Sequence, residues 1–307
     1  MSFSSLLSSV LPLAALLFFS NLALAEDVLR RFGPLQDTGA AGHDYAGRVL
    51  DEAMRRTRSS YGAYRIETRQ VPVGREEQLR KMLLGDEVNV SVVATQPSWE
   101  LQLLPIYIAP DMGLSNYRIA LTTAEVQPKL SAVGNLDQLR ALRVGVGEAW
   151  SSRRVLEIAG FAVYTEESAK PLVARLLAGK IDYFPRGLNE VFAEFDELRS
   201  ASPNLRVEQD ILLKFPLPGY VFVSPAHPRL HKRLSAGLES MVRDGSLLRM
   251  LKQHYADVFK RARLCERRVF LLENYNLLNP KPLQRKELWF DAFDPRSGVC
   301  KKTRKLS

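Results

Sequence analysis

Leu142-Arg143-Val144-Gly145-Val146 reads as a buried strand, and the elements downstream of it decide the fold. Ser151 to Ala159 reads as a helix, Phe161-Ala162-Val163-Tyr164 as a strand, and Ala169 to Ala178 as a helix closed by Gly179. Ile181-Asp182-Tyr183-Phe184 is the next strand and Leu188 to Leu198 the next helix. A β-α-β-α-β order of this kind implies a parallel sheet with right-handed crossovers.

The same order stands upstream. Val28-Leu29-Arg30-Arg31-Phe32 predicts a strand ended by Gly33-Pro34, and residues 44–57 an amphipathic helix carrying Tyr45, Val49, Leu50 and Met54. Tyr64 to Val71 alternates as a strand does, Arg75 to Leu84 predicts a helix closed by Gly85, and Val88 to Ala94 predicts a third strand. Residues 95–116 read as irregular, with Pro97, Pro105 and Pro110, before the strand Tyr117–Thr123. Gly219 to Val223 reads as a late strand, and His231 to Tyr255 as helical. Two α/β lobes joined by extended segments near 110–123 and 215–226 are expected.

The ends of the 307-residue chain differ from its body. Residues 1–25 hold no ionisable side chain; Val10 to Phe19 is continuously apolar, and Ala23-Leu24-Ala25 has the small-x-small pattern read by signal peptidase. The competing reading is an uncleaved anchor, which needs about 20 apolar residues in a row; here Ser8, Ser9, Ser20 and Asn21 bracket the core. Cleavage after Ala25 and a periplasmic location are expected. Residues 26–259 carry 30 Lys and Arg against 29 Asp and Glu, whereas residues 260–307 carry 13 against 5. The net charge of +9 is therefore a property of the C-terminal extension and not of a basic groove, so nucleic acid is not an expected partner. The four histidines (His43, His227, His231, His254) are scattered, and no metal or cofactor is expected. Gly145-x-Gly147 after a strand lacks the third glycine of a dinucleotide fingerprint, because Trp150 stands there. No G-x-S-x-G surrounds Ser151 or Ser152.

Three strings carry a resemblance: Leu139-Arg140-Ala141-Leu142-Arg143-Val144-Gly145-Val146-Gly147, Leu177-Ala178-Gly179-Lys180-Ile181-Asp182-Tyr183, and Met241-Val242-Arg243-Asp244-Gly245-Ser246-Leu247. In order and spacing, residues 27–259 resemble the bacterial extracellular solute-binding protein family 3, the periplasmic receptors of amino-acid-type ABC importers. The resemblance implies the type II periplasmic-binding-protein fold, with each lobe a β-α-β-α-β unit. It divides the chain into a signal peptide (1–25), lobe one (26–117, with 225–259 returning to it), lobe two (118–224) and a basic extension (260–307). It also implies a small-molecule ligand, an ABC importer as membrane partner and a monomer that closes by hinge motion. Members of this family place an Arg after the third strand of lobe one, where this chain reads Thr95-Gln96-Pro97-Ser98-Trp99-Glu100. They place an Asp after the third strand of lobe two, where it reads Phe184-Pro185-Arg186-Gly187.

Ligands of two-lobe α/β proteins meet strand C-termini and helix N-termini. That rule selects Trp150 as a flat wall or a packing residue, and Ser151 and Ser152 as helix caps or anion contacts. Arg186 is expected to hold an anionic group bidentately, or else to pair with Glu190 at the surface. Thr95, Ser98 and Trp99 are expected on the lobe-one wall, with Tyr107 and Tyr117 at the mouth or in the core. The expected ligand is small and polar, anionic or amino-acid-like. A dehydratase of the prephenate or arogenate type on the same fold, with Glu100 or Glu148 as its acid, is the alternative; a ligand-free interaction protein is another. Cys265 and Cys300, an even pair in an oxidising compartment, are expected to form a disulfide that pins the extension to a lobe and leaves 301–307 loose.

Overall fold

The computed structural model describes residues 26–33, 44–69 and 74–300. The signal-peptide reading, His43 and the expected loose end at 301–307 lie outside the described residues. None of the helices described is long and apolar enough to cross a membrane.

The chain runs β1 (Asp27–Phe32), α1 (Tyr45–Arg56), α2 (Arg58–Tyr61), β2 (Tyr64–Arg69), α3 (Arg75–Leu84), β3 (Val90–Ala94), α4 (Pro97–Gln102) and β4 (Leu104–Ile106). It continues through β5 (Tyr117–Thr123), α5 (Gln127–Ser131), α6 (Leu136–Arg140), β6 (Val144–Gly147), α7 (Ser151–Ile158), β7 (Val163–Glu166), α8 (Ala169–Leu177), β8 (Phe184–Gly187) and α9 (Val191–Leu198). Then come β9 (Leu205–Val207), β10 (Ile211–Lys214), β11 (Gly219–Val223), α10 (Pro228–Arg243), α11 (Ser246–His254), α12 (Ala256–Ala262) and β12 (Arg268–Leu271).

The first sheet has the order β2-β1-β3-β11-β4. β1 runs parallel to β2 and β3, whereas β11 runs antiparallel to β3 and β4. α1 buries Val49, Leu50, Ala53 and Met54 against this sheet and α10, the face its 3.6-residue apolar spacing dictates. The helical stretch expected over 231–255 is divided at Gly245, whose φ of 71° breaks it in the left-handed region inside the string Met241–Leu247. In the second sheet β5 is the centre, antiparallel to β8, β9 and β10. β6 and β7 pair in parallel, and β6 joins the rest through a parallel bridge from Val144 to Tyr183. The fold is thus two α/β layers of the expected type, linked by residues 107–116 and 215–218.

Two expectations change. The boundary that put residues 118–224 together fails at its end: Gly219–Val223 pairs with Val90–Ala94 in the first sheet. That pairing is non-local, so no local pattern announces it. The stretch 95–116 is also not irregular throughout. Pro97 starts α4 at a position where its missing N–H costs nothing, and Leu104–Ile106 forms an edge strand.

The basic extension does more than fold onto one lobe. β12 adds to the second sheet, parallel to β10 from Ile211↔Arg268 to Lys214↔Leu271. Arg267 of this segment donates to Glu208 at 3.0 Å, both buried. Residues 273–300 then return across both connecting segments. Asn274 Nδ2 donates to the Pro216 carbonyl (2.8 Å), Phe290 N–H to the Met112 carbonyl (2.8 Å), and the Tyr117 hydroxyl to the Phe290 carbonyl (3.1 Å). Arg285 forks onto Glu239 of α10 at 2.7 and 3.0 Å. Leu288, Phe290, Ala292 and Phe293 are buried. Cys265 and Cys300 are bridged, with Cα atoms 5.6 Å apart.

Candidate functional site

β6 ends at Gly147, the chain turns, and α7 starts at Ser151. Trp150 folds back so closely over Gly147 that a Cβ on this glycine would overlap its indole ring. The ring stacks on Phe184 (centroids 5.7 Å apart), and the Arg186 guanidinium lies 4.3 Å from its centroid. Trp150 is half-buried. Gly147→Ala is therefore expected to expel Trp150 and cost about 1–3 kcal/mol, as overpacking does; thermal unfolding with Trp fluorescence reads both effects.

Arg186 does not hold an open fork. Its Nε and Nη2 donate to Glu194 at 2.6 and 2.5 Å, and Nη2 also donates to Glu190 at 2.9 Å. Arg186 and Glu194 are 4% and 3% exposed, so this is a buried clamp and not the surface pair expected with Glu190. Burial works against the Arg186 charge, but the two carboxylates outweigh it and raise its pKa. Burial pushes the Glu194 carboxyl up, against the pull of Arg186. Gly187 explains the unusual Pro185-Arg186-Gly187 run. Its N–H donates to Glu190 Oε1 at 3.0 Å, and a Cβ there would meet that oxygen and Asn189 Oδ1. The carboxylate missing from the strand end is brought back from three residues on, already paired with Arg186.

Ser152 is buried, and the Ser151 hydroxyl is buried with no hydrogen-bond partner. Neither caps α7, which makes no side-chain N-cap bond. The expected capping is thus replaced by an uncapped helix start.

On the opposite wall, β3 delivers Thr95, whose N–H donates to the Pro218 carbonyl (2.9 Å) and whose hydroxyl donates to Glu100 (2.5 Å). The Tyr107 hydroxyl donates to the other Glu100 oxygen at 3.1 Å, and its ring meets Tyr220 edge-on at 5.1 Å. Thr95 and Glu100 are buried; Tyr107 is half-buried. Trp99 is 1% exposed and edge-on to Phe222 at 5.4 Å, so it is core and not a stacking wall; the short α4 swings it inward. Ser98 is exposed, and its carbonyl accepts from Gln102. Tyr117 is core, held by the extension. Of the two carboxylates considered as catalytic acids, Glu100 is buried behind Thr95 and Tyr107, and Glu148 is exposed.

The walls meet directly: Gln96 Nε2 donates to the Ala149 carbonyl at 3.5 Å. Two arginines that the sequence did not single out stand near these walls, Arg75 beside the end of β3 and Arg118 opposite Gly187 in the β5–β8 register. Arg75, first residue of α3, lies 4.7 Å from the Trp99 ring centroid, and its Nη2 donates to the Ala94 carbonyl at 2.7 Å. Burial alone lowers its pKa to about 10. Arg118 of β5 is 7% exposed, lies 5.3 Å from the Phe215 ring centroid, and has an Nε without a partner. Burial lowers its pKa to about 10, while Glu190, Glu194 and Asp111 act on it through space. The helix-N-terminus rule that chose Ser151 also covers Arg75; what hid it was its distance in sequence from β3.

No protein-family model and no curated protein matches the sequence. Solved structures do match. An ancestral arginine-binding protein bound to glutamine is similar at 13% identity and TM-score 0.50, covering 74% of this chain and 97% of its own. An arginine-specific periplasmic binding protein of Salmonella typhimurium gives 11%, 0.51, 74% and 98%. An arginine 3rd transport system periplasmic binding protein from Legionella pneumophila gives 15%, 0.51, 75% and 100%. At these identities the likeness is one of fold, and the fold is that of the type II periplasmic binding proteins.

Proposed function

We propose that this protein is an exported solute-binding protein that captures a small polar, amino-acid-like or anionic solute between its two α/β lobes and delivers it to a membrane importer. The observation that carries this reading is the junction at Gln96 and Ala149. There the strand ends of one sheet face the helix start of the other, the arrangement in which α/β folds receive ligands. Arginine and glutamine in the solved neighbours support an amino-acid-like solute. Export rests on Ala23-Leu24-Ala25 and agrees with the bridged cysteines.

The dehydratase reading needs an acid poised in the cleft. Glu100 is committed to Thr95 and Tyr107, which favours binding over turnover.

The test is a thermal-shift screen of oxidised residues 26–307 against L-arginine, L-glutamine, L-lysine, succinate, phosphonates, polyamines and prephenate. One compound is expected to stabilise the protein with concentration, by about 2.7 kcal/mol at a hundred times its Kd, and without turnover. Consumption of prephenate would favour the enzyme, and no stabilisation by any compound would contradict solute capture.

A further inference from the structure

We infer that Arg75 is the anion anchor of the cleft, the residue that receives the carboxylate of the bound solute, in place of Arg186. This rests on the solute-binding reading and goes past it by naming the residue and the ligand group it takes.

A guanidinium has five N–H donors. Among the described residues Arg75 makes one hydrogen bond, Nη2 to the Ala94 carbonyl, and no ion pair. Its Nε is buried and without a partner. Withdrawing a cation from water without a counter-charge is costly, so a half-buried arginine of this kind marks a place where an anion completes the site. Glu100, the carboxylate of this wall, does not pair with Arg75; its two oxygens accept the hydroxyls of Thr95 and Tyr107.

Position agrees with partners. Arg75 is tied to the carbonyl of Ala94, the last residue of β3, and Gln96 two residues on touches Ala149 of the other lobe. Across that contact stand the unpartnered Ser151 hydroxyl and the uncapped start of the eight-residue α7, which offer further donors to the same anion. Trp99 is buried in the core and supports the guanidinium through its π-face, which leaves Nε, with no protein partner, to take part in recognition. A planar fork selects a planar, two-oxygen acceptor, which is a carboxylate. Arg186, the residue the sequence singled out, has its Nε–Nη2 edge filled by Glu194.

The experiment uses the oxidised chain 26–307 as wild type, Arg75→Gln and Arg75→Lys. The probes are L-arginine with its decarboxylated counterpart agmatine, and succinate with succinamide. Titration calorimetry gives affinity, and thermal unfolding without ligand gives stability. Wild type is expected to bind a carboxylate probe and to discriminate against its counterpart. Arg75→Gln is expected to weaken that probe ten- to a hundredfold, with Arg75→Lys in between. Ligand-free Arg75→Gln is expected to unfold at or above the wild-type temperature, because an uncompensated charge has left a half-buried site. Unchanged affinity in Arg75→Gln, or equal wild-type binding of a probe and its counterpart, overturns the anchor and leaves solute binding standing. A ligand-free Arg75→Gln that unfolds several degrees below wild type also overturns it, since Arg75 would then be a structural clamp. Failure of every probe to bind wild type overturns the anchor, and failure of the whole thermal-shift screen as well overturns solute binding.

Discussion

The double variant Cys265→Ala, Cys300→Ala is expected to be about 4 kcal/mol less stable than the oxidised protein, the chain-entropy value for the loop this bridge closes. The bridge spans 35 positions, and the loop between its ends carries most of the contacts that hold the extension. β12 is paired to β10, Asn274 to Pro216, Phe290 to Met112 and Tyr117, and Arg285 to Glu239. Without the bridge the unfolded chain gains freedom while these contacts persist. Urea unfolding of both proteins without reductant reads the difference. A loss under about 1 kcal/mol would mean that the buried side chains alone seat the extension.

Arg186→Met should cost about 3–5 kcal/mol, the range for removing one partner of a buried ion pair. Glu194 would keep its burial and lose its fork, with Glu190 beside it and Arg118 as the cation that still acts on both through space. The pH dependence has a definite sign. Burial already raises the Glu194 pKa above its unfolded value, against the opposing pull of Arg186. A raised carboxyl contributes stability that is present below the unfolded carboxylate pKa and is lost as pH rises through the folded one. Removing Arg186 removes that opposition, so the deficit of Arg186→Met should be largest near neutral pH and shrink toward about pH 4, the unfolded carboxylate range. Denaturant melts at several pH values measure it. A deficit that is flat with pH, or an affinity loss without a stability loss, would return Arg186 to the ligand.

These two cases mark what the sequence could and could not carry. Elements with strong local period were legible: Arg75–Leu84 and Tyr117–Thr123 fall where they were expected, and the bridge expected of the even cysteine pair is formed. What was illegible is tertiary. Val221 pairs with both Val92 and Ile106, which no local pattern states. β12 is a short edge strand whose partner lies over fifty residues upstream. Arg186 was rightly placed at a strand end, but its partner Glu194 lies one turn past the residue that sequence spacing offered. Trp99 comes after β3 as a wall residue should, yet α4 turned it into the core. Arg75 reaches the end of β3 only because α3 starts beside it in space.

On the proposed function, one solute is held by both lobes at once. Hydrogen exchange of the oxidised chain, with and without the strongest stabiliser from the thermal screen, tests it most directly. Simultaneous slowing of exchange is predicted in segment 94–96 of the first lobe and segment 149–153 of the second, which the Gln96–Ala149 contact brings together. Protection confined to one of these segments, or to neither, would contradict capture between the lobes.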